Sequence, residues 1–333
     1  MSDTFLLENR VRKQECEIVQ GSLDGGPTCP LTGGQHIQVL EDIPTSLLVD
    51  CYQRDLGIDV ASEFLGVERL QLYRSLNSQV LFFHPTVTGS SSFYAQLQNF
   101  DWYYPADKYE YQRAADWVKP GDRVLEIGCG AAHFATYIPD ASYHGVEPNF
   151  PPGAHAMHAG PHILPENVTQ HAMTNSETYD VVCAFQVLEH IGDPQSFLTA
   201  ALACLKPDGL LIIGVPNAES YITRIPNFVL NAPPHHLTWW NKAALCHLAD
   251  YFKLSILELA YAPVESWETR LYWMQRISGM FSSRPFSHFT ESPSRRLLNM
   301  AAYLLAGFIP NNIKPPAQAQ GASVVLIARK DTR

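Results

Sequence analysis

Three groups of residues in this chain have types and spacings suited to chemistry. The first is Gly128-Cys129-Gly130, which follows directly on the apolar run Val124-Leu125-Glu126-Ile127. Glycine lets the backbone turn sharply and lets a ligand approach without a Cβ in the way. The second is Glu147, nineteen residues after Gly128. A carboxylate at that point can accept hydrogen bonds from both hydroxyls of a ribose. The third is a set of histidines, His190 after Glu189, and His235-His236 inside PPHHLTWWN. Histidine changes charge near neutrality and is the natural base for taking a proton from a hydroxyl.

These residues need elements to hold them. Strand Arg123–Ile127 is expected to lead through the glycine turn into a helix over Ala132–Ile138, whose N-terminal amides would face the ligand. Strand Ser142–Val146 ends at Glu147-Pro148-Asn149. Residues 150–178 are rich in Pro, His and Asn, and the third strand is weak there. Strand Asp180–Phe185 precedes helix Asp193–Leu205, a turn at Lys206-Pro207-Asp208-Gly209, and strand Leu210–Val215. Helix Lys242–Tyr251, strand Leu254–Tyr261, a mainly helical stretch over 265–310 and strand Ala322–Ala328 complete the alternation. A helix is also expected within 105–118. Such alternation implies an α/β fold with a mostly parallel sheet covered on both faces. Both histidine segments then leave the carboxyl ends of strands, where a pocket should open.

With 333 residues, 46% hydrophobic and 17% charged, the chain can hold one large α/β domain and a smaller appendage. A formal charge of −10 with scattered Lys and Arg lacks the footprint of a phosphate-backbone binder. Seven widely spaced cysteines with no Cys-x-x-Cys pair suggest reduced thiols in a cytoplasmic protein. The first twenty residues carry no signal-peptide pattern. The apolar run 297–310 is too short to span a bilayer and reads as a buried or lid helix.

A Gly-x-Gly turn can serve a dinucleotide or S-adenosylmethionine. A dinucleotide site wants a small residue at position 133 for close helix–strand packing, and here it is His133. Glu126 would repel a pyrophosphate but would favour the ammonium of a methionine moiety. Both features point to S-adenosylmethionine.

Four segments, VLEIGCGAAHFA (124–135), YHGVEPN (143–149), YDVVCAFQVLEHIGDPQSFL (179–198) and LKPDGLLIIGVPN (205–217), together resemble the class I S-adenosylmethionine-dependent methyltransferases. The resemblance is to the group that includes ubiquinone-biosynthesis O-methyltransferase-like proteins. It implies a Rossmann-like seven-stranded sheet whose last strand inserts antiparallel. It further implies that Glu126, Gly128 and Gly130 hold the methionine part, that Glu147 holds the ribose, and that Phe185 and Gln186 line the same pocket. Asn167 and Gln170 stand where an adenine-binding side chain would be sought.

Many similar methyltransferases begin with two zinc knuckles. In that comparison Cys29 keeps one ligand position, while Thr32, Ser75 and Ser78 stand where three cysteines would be. One thiolate cannot close a tetrahedral zinc site. The module over residues 29–100, after an N-terminal extension 1–28, is read as a ribbon that kept its shape without metal. Residues 101–333 form the methyltransferase domain, with a helical lid insertion at about 265–315.

The expected activity is methyl transfer from S-adenosylmethionine to a small-molecule acceptor, on oxygen, by in-line displacement. His236, His190 and His235 are the candidate bases, with His236 favoured, and no metal is assigned. One alternative is a metal-assisted methyltransferase acting on a nucleic acid end, since some relatives carry Glu-x-x-Glu-His and a later His. Gln186 replaces the first acid of that set here. A second alternative is a non-catalytic S-adenosylmethionine-binding scaffold. Neither a nucleic acid partner nor stable membrane insertion is expected, and homo-oligomerisation is left open.

Overall fold

The computed structural model describes residues 18–20, 26–100, 102–103, 105–148, 162–281, 286–310 and 312–332. Asn149 of the YHGVEPN motif and most of the extension 1–28 lie outside these residues.

The chain first builds a small antiparallel sheet. Strands β1 (Ile18–Gln20), β2 (His36–Pro44), β3 (Arg69–Ser75) and β4 (Leu81–His84) pair in that order. Helix α1 (Thr45–Leu56) crosses between β2 and β3, and α2 (Ser91–Leu97) follows β4. Leu47, Leu48, Cys51 and Tyr52 recur at helical spacing and bury one face of α1. Gly57 ends that helix in the left-handed region, φ +69°, and its amide bonds back to the last turn. The α1 face packs on Leu70, Leu72, Leu81 and Phe83 from the sheet and on Phe93 from α2.

The second unit begins with α3 (Tyr109–Ala115) and then alternates. Its strands are β5 (Arg123–Ile127), β6 (Ser142–Val146), β7 (His162–Leu164), β8 (Tyr179–Phe185) and β9 (Leu205–Pro216). Helix α4 (Val168–Ala172) follows β7, and α5 (Pro194–Cys204) follows β8. Strand β10 (Thr238–Trp239) then leaves this unit and pairs with β4, so the small sheet takes its fifth strand from far along the chain. Helix α6 (Lys242–Phe252), β11 (Leu254–Pro263), α7 (Thr269–Met280), α8 (Pro293–Ala306) and β12 (Gln320–Lys330) complete the fold.

The large sheet has seven strands in the order β11-β12-β9-β8-β5-β6-β7. Strands β5 to β9 are parallel, and β12 lies antiparallel between β9 and β11. Alternate residues are buried on opposite faces. Leu125, Val182, Leu211, Ile213 and Leu326 pack under α5 and α6. Val124, Val181, Cys183, Ile212 and Ile327 pack against Tyr111, Ala114, Phe134 and Ile138. Each such aliphatic side chain contributes about 1.5–3 kcal/mol when fully buried. Two covered faces are why these strands read as continuous apolar runs.

Three local expectations need correction. The helix expected over Ala132–Ile138 is only a 3-10 stretch, His133–Tyr137. Ala132 is left-handed at φ +56°, and Pro139 excludes helix soon after, so too few residues remain for an α-helix. The expected turn at Lys206–Gly209 is a bulge inside β9, where pairing with β8 jumps from Tyr179–Leu205 to Val181–Leu210. The run 297–310 is not a buried helix. In α8, Ala302 and Ala306 are buried while Leu297, Met300, Leu304 and Leu305 are exposed. Among the described residues no helix is long and apolar enough to cross a membrane.

Candidate functional site

The chain runs from β5 outward to β6 and later returns to β8 on the other side of β5. Ligands of open α/β sheets bind at the carboxyl ends of strands where the order reverses in this way. A cavity of about 940 Å³ opens there. Gly128, Gly130, Glu147, Phe185 and Gln186 line one part of it, and His190, His235 and His236 line another.

At the first end, the loop after β5 is tied to β6. The amides of Gly128 and Cys129 donate to the carbonyl of Val146 at 2.8 and 3.3 Å. Gly128 has φ +69°, and a Cβ there would come within 2.6 Å of the Val187 side chain. Only glycine suits both the backbone angle and that approach. Gly130 follows at φ +50°, and its amide donates to Glu147 Oε2 at 3.3 Å. The ribose candidate is thus joined to the glycine turn.

Glu126 sits elsewhere than the sequence suggested. It is 1% exposed, is absent from the cavity lining and is hydrogen-bonded by the hydroxyl of Tyr143. Burial pushes its carboxyl up to about 8, opposed by Tyr143 and by the nearby charge of Lys108. Alternation along β5 explains the position, because neighbouring residues face opposite sides of the sheet. Phe185 is buried against Phe134 and Tyr111, with ring centroids 5.0 and 5.2 Å away. Gln186 is left-handed at φ +59° and donates from Nε2 to Glu110 Oε1 at 2.7 Å. Asn167 also lines the cavity, but its side chain and that of Gln170 cap α4 reciprocally at 2.9 and 3.0 Å. Glu166 and Val168 line the pocket beside Asn167.

At the second end the three histidines converge. Each offers a ring nitrogen, and these nitrogens all lie within 4.8 Å of one another. His235 and His236 stack with centroids 4.4 Å apart, and His190 meets them edge-on at 4.6 and 4.9 Å. His190 ends a single 3-10 turn after β8, and His235-His236 arrive on the loop into β10. His190 Nδ1 bonds the carbonyl of His235 at 2.6 Å, and His235 Nδ1 bonds that of Leu230 at 3.0 Å. Because carbonyls only accept, both Nδ1 atoms carry the proton and both Nε2 atoms keep a lone pair.

Glu189 lies beneath them at 1% exposure, with Oε1 3.5 Å from His190 Nε2 and 4.0 Å from His236 Nε2. Neither of its oxygens has a hydrogen-bond partner, and neither has His235 Nε2. Burial pushes the Glu189 carboxyl up to about 8 and His190 down to about 4. Burial likewise holds His235 and His236 well below the usual histidine range. The four groups therefore lean neutral, and the close approaches are not ion pairs.

The sequence reading missed two buried acids on the cavity wall. Glu110 is 4% exposed and accepts from Gln186 and from Ser323 Oγ at 2.9 Å. Its one signal was helical spacing, since Glu110 shares a buried face with Ala114. Glu268 is 1% exposed, accepts the Glu265 and Ala322 amides at 2.8 and 2.9 Å, and burial raises it to about 7. Of the aromatics in the 265–315 insertion, Trp267 lines the cavity among the described residues. Tyr272 and Met274 pack with Tyr221 and Ile222 instead.

The four ribbon positions also meet. Cys29 Sγ lies 3.2 Å from Ser78 Oγ, and the Ser78 amide donates to Ser75 Oγ at 3.2 Å. Burial raises the Cys29 thiol, but hydrogen bonds to Ser78, Thr32 and Ser75 outweigh it and leave a net lowering.

A family model described as a methyltransferase domain matches residues 96–259. The ubiquinone biosynthesis O-methyltransferase of Aeromonas salmonicida (strain A449) is 26% identical over 176 residues, 45% of this chain and 74% of that protein. The enzyme of the same name from Salmonella enteritidis PT4 is 32% identical over 105 residues, 29% of this chain and 43% of that protein. The chain thus spans less than half the length of the second relative. Among solved structures, a SAM dependent methyltransferase from Archaeoglobus fulgidus matches with a TM-score of 0.43 and 18% identity, covering 66% of this chain and 90% of that one. Residues 96–259 match a methyltransferase domain, and that match, together with the ubiquinone biosynthesis O-methyltransferase relatives, supports an S-adenosylmethionine-dependent methyltransferase.

Proposed function

We propose that the chain methylates an oxygen of a small, largely apolar acceptor. The observation that carries this reading is that one cavity contains both the Gly128–Gly130 and Glu147 wall and the three-histidine wall. Its size is at the upper end for small-molecule sites, enough for a cofactor and an acceptor together. S-Adenosylmethionine supplies a methyl group that is already strongly electrophilic. In this reading the glycine turn and Glu147 fix the methionine and ribose parts. Tyr94, Trp102, Tyr103 and Trp239 provide the apolar wall beside the histidines and exclude water. Alignment of acceptor and methyl supplies most of the rate.

Histidines held neutral by burial start in the state a base requires. His236 is kept as the favoured base; His190 and His235, whose Nδ1–H bonds to backbone carbonyls leave Nε2 able to accept a proton, are the alternatives. The relatives named as O-methyltransferases support oxygen as the acceptor atom, and the aromatic wall of Tyr94, Trp102, Tyr103 and Trp239 suits a phenol.

The test is transfer from methyl-labelled S-adenosylmethionine to a panel of phenols, aliphatic alcohols and amines, with products identified by mass spectrometry. O-methylated phenols are expected. Methylation confined to amines would overturn the reading.

A further inference from the structure

We propose that α8 and the adjoining end of α7 form a docking face for an anionic lipid surface, on which the protein lies without crossing the bilayer. The two helices fill the connection between β11 and β12. On α8 the small residues Ala302 and Ala306 are buried, in one cluster with Tyr272 and Met274 of α7. Leu297, Met300, Leu304, Leu305 and Phe308 are instead 55–84% exposed. At about 100° per residue, Leu297, Met300, Leu304 and Phe308 fall within about 80° of one another, on the side away from the two alanines.

This arrangement inverts the usual one, in which a helix turns its large apolar residues toward the core. Packing through alanines and pointing leucines outward leaves apolar surface that a partner must cover. Met280 and Phe281, where α7 ends, are exposed as well. Arg270 Nε donates to the Tyr303 carbonyl at 3.3 Å, and its guanidinium lies 3.7 Å from the centre of the Tyr303 ring. The start of α7 therefore meets the end of α8. Trp267, just before that start, is exposed and lines the cavity. The apolar face thus ends beside the cavity mouth, yet among the described residues from 269 to 321 none lines the cavity. Docking through this face leaves the reaction site open.

Charge decides the occupant. The chain has a formal charge of −10, but from Thr269 to Lys314 it carries Arg270, Arg276, Arg284, Arg295, Arg296 and Lys314 against one acid, Glu291. Arg276, Arg296 and Lys314 are exposed. An apolar stripe accompanied by arginines is the pattern of a helix that lies in the headgroup layer, and the 14 residues of α8 are too few to span a bilayer. Each arginine near an anionic surface strengthens binding about fivefold. A second copy seated symmetrically on the same face would set these cations against themselves. The face does not rest on the O-methylation reading.

The test is flotation of the full chain with vesicles of phosphatidylcholine alone and of phosphatidylcholine mixed with phosphatidylglycerol. Binding is expected to the anionic vesicles, and it should fall as salt rises from about 0.1 to about 1 M and the Debye length shrinks from about 10 to about 3 Å. Arg276→Gln with Arg296→Gln should weaken it about 25-fold, and Leu304→Ser with Phe308→Ser at least about 10-fold. These side chains are exposed and line no part of the cavity, so Tm and S-adenosylmethionine affinity of each variant should match the wild type. Absence of binding to anionic vesicles, or binding undiminished in both variants, overturns the face. A dimer in light scattering that Leu304→Ser with Phe308→Ser dissolves, without vesicle binding, assigns the face to a second copy and also overturns the proposal.

Discussion

The backbone amide of Phe83 donates a 3.1 Å hydrogen bond to the carbonyl of Leu237, the residue after His236. This bond sits in a wider joint. Strand β10 pairs with β4, Gly89 donates to Pro234 O at 3.0 Å, and the Tyr52 hydroxyl donates to Ala232 O at 3.0 Å. The small N-terminal unit thus grips the histidine loop on both sides of His235-His236.

Loosening that grip should harm transfer more than cofactor binding. Trp239 packs edge-on against Phe83 at 5.7 Å and donates Nε1–H to Asn231 O at 2.7 Å. Trp239→Ala should cost about 3–5 kcal/mol of stability. A shift of about 1 Å in the histidines is expected to lower kcat about 100-fold. Affinity for S-adenosylmethionine should stay unchanged, because Gly128, Gly130 and Glu147 belong to the other wall. Calorimetric titration beside steady-state kinetics measures both. Equal losses in binding and turnover would show that the two walls are not independent.

Glu147→Ala should weaken S-adenosylmethionine about 10- to 100-fold, the equivalent of one or two hydrogen bonds to a charged acceptor. Gly128→Ala should weaken it further and lower Tm, because the new methyl group meets Val187 at 2.6 Å and the backbone angle is strained. Unchanged affinity in both variants would place the cofactor elsewhere.

Glu126 predicts a pH dependence of stability. Its folded-state pKa is raised to about 8 from an ordinary 4.5. The folded protein therefore holds a proton that the unfolded chain releases, so stability is greatest below about pH 4.5 and falls as pH rises through 8. Glu268, raised to about 7, acts in the same direction. The buried histidines oppose this only below about pH 6.5. Between about pH 6.5 and 8 the loss from Glu126 should be about 2 kcal/mol. Denaturant melts across that range should slope downward in the wild type and less steeply in Glu126→Gln, where Glu189 and Glu268 still contribute. A flat wild-type profile would contradict the prediction.

Restoring thiolates should restore a metal to the ribbon. Cys29, Thr32, Ser75 and Ser78 already share hydrogen bonds around one point. The triple variant Thr32→Cys, Ser75→Cys, Ser78→Cys should bind one zinc ion more than the wild type, with a higher Tm. Metal analysis by mass spectrometry gives the count. No gain would mean that the loops no longer hold ligand geometry.

The large sheet was legible because its strands are buried on both faces and bounded by Gly and Pro. Val124–Ile127 and Val181–Phe185 could hardly be anything else. The positions of the glycine turn and Glu147 were legible for the same reason, since both follow strand ends. The small sheet was not. Its strands mix polar and apolar residues, and its last strand is the two residues Thr238–Trp239, whose partner lies about 150 positions earlier. No local pattern encodes such a pairing. Glu110 and Glu268 were hidden because burial of an acid is decided by what folds over it. His190, His235 and His236 were each found, but their meeting at one point is a property of two loops and not of either segment.

The placement of β12 bears on the order in which the molecule can be made. Strands β9 and β11 precede β12 in the chain, yet β12 separates them. As synthesis proceeds, both therefore wait with unsatisfied edges while α7 and α8 emerge. If they paired with each other, that contact would have to break before the last strand could enter. The sheet that carries the cofactor turn is thus completed late, over a long loop closure, and its slow step should be sensitive to anything that occupies the gap. A nascent or refolding chain is most exposed to misassembly at this seam, one end of which, at Ala322 and Ser323, lines the cavity.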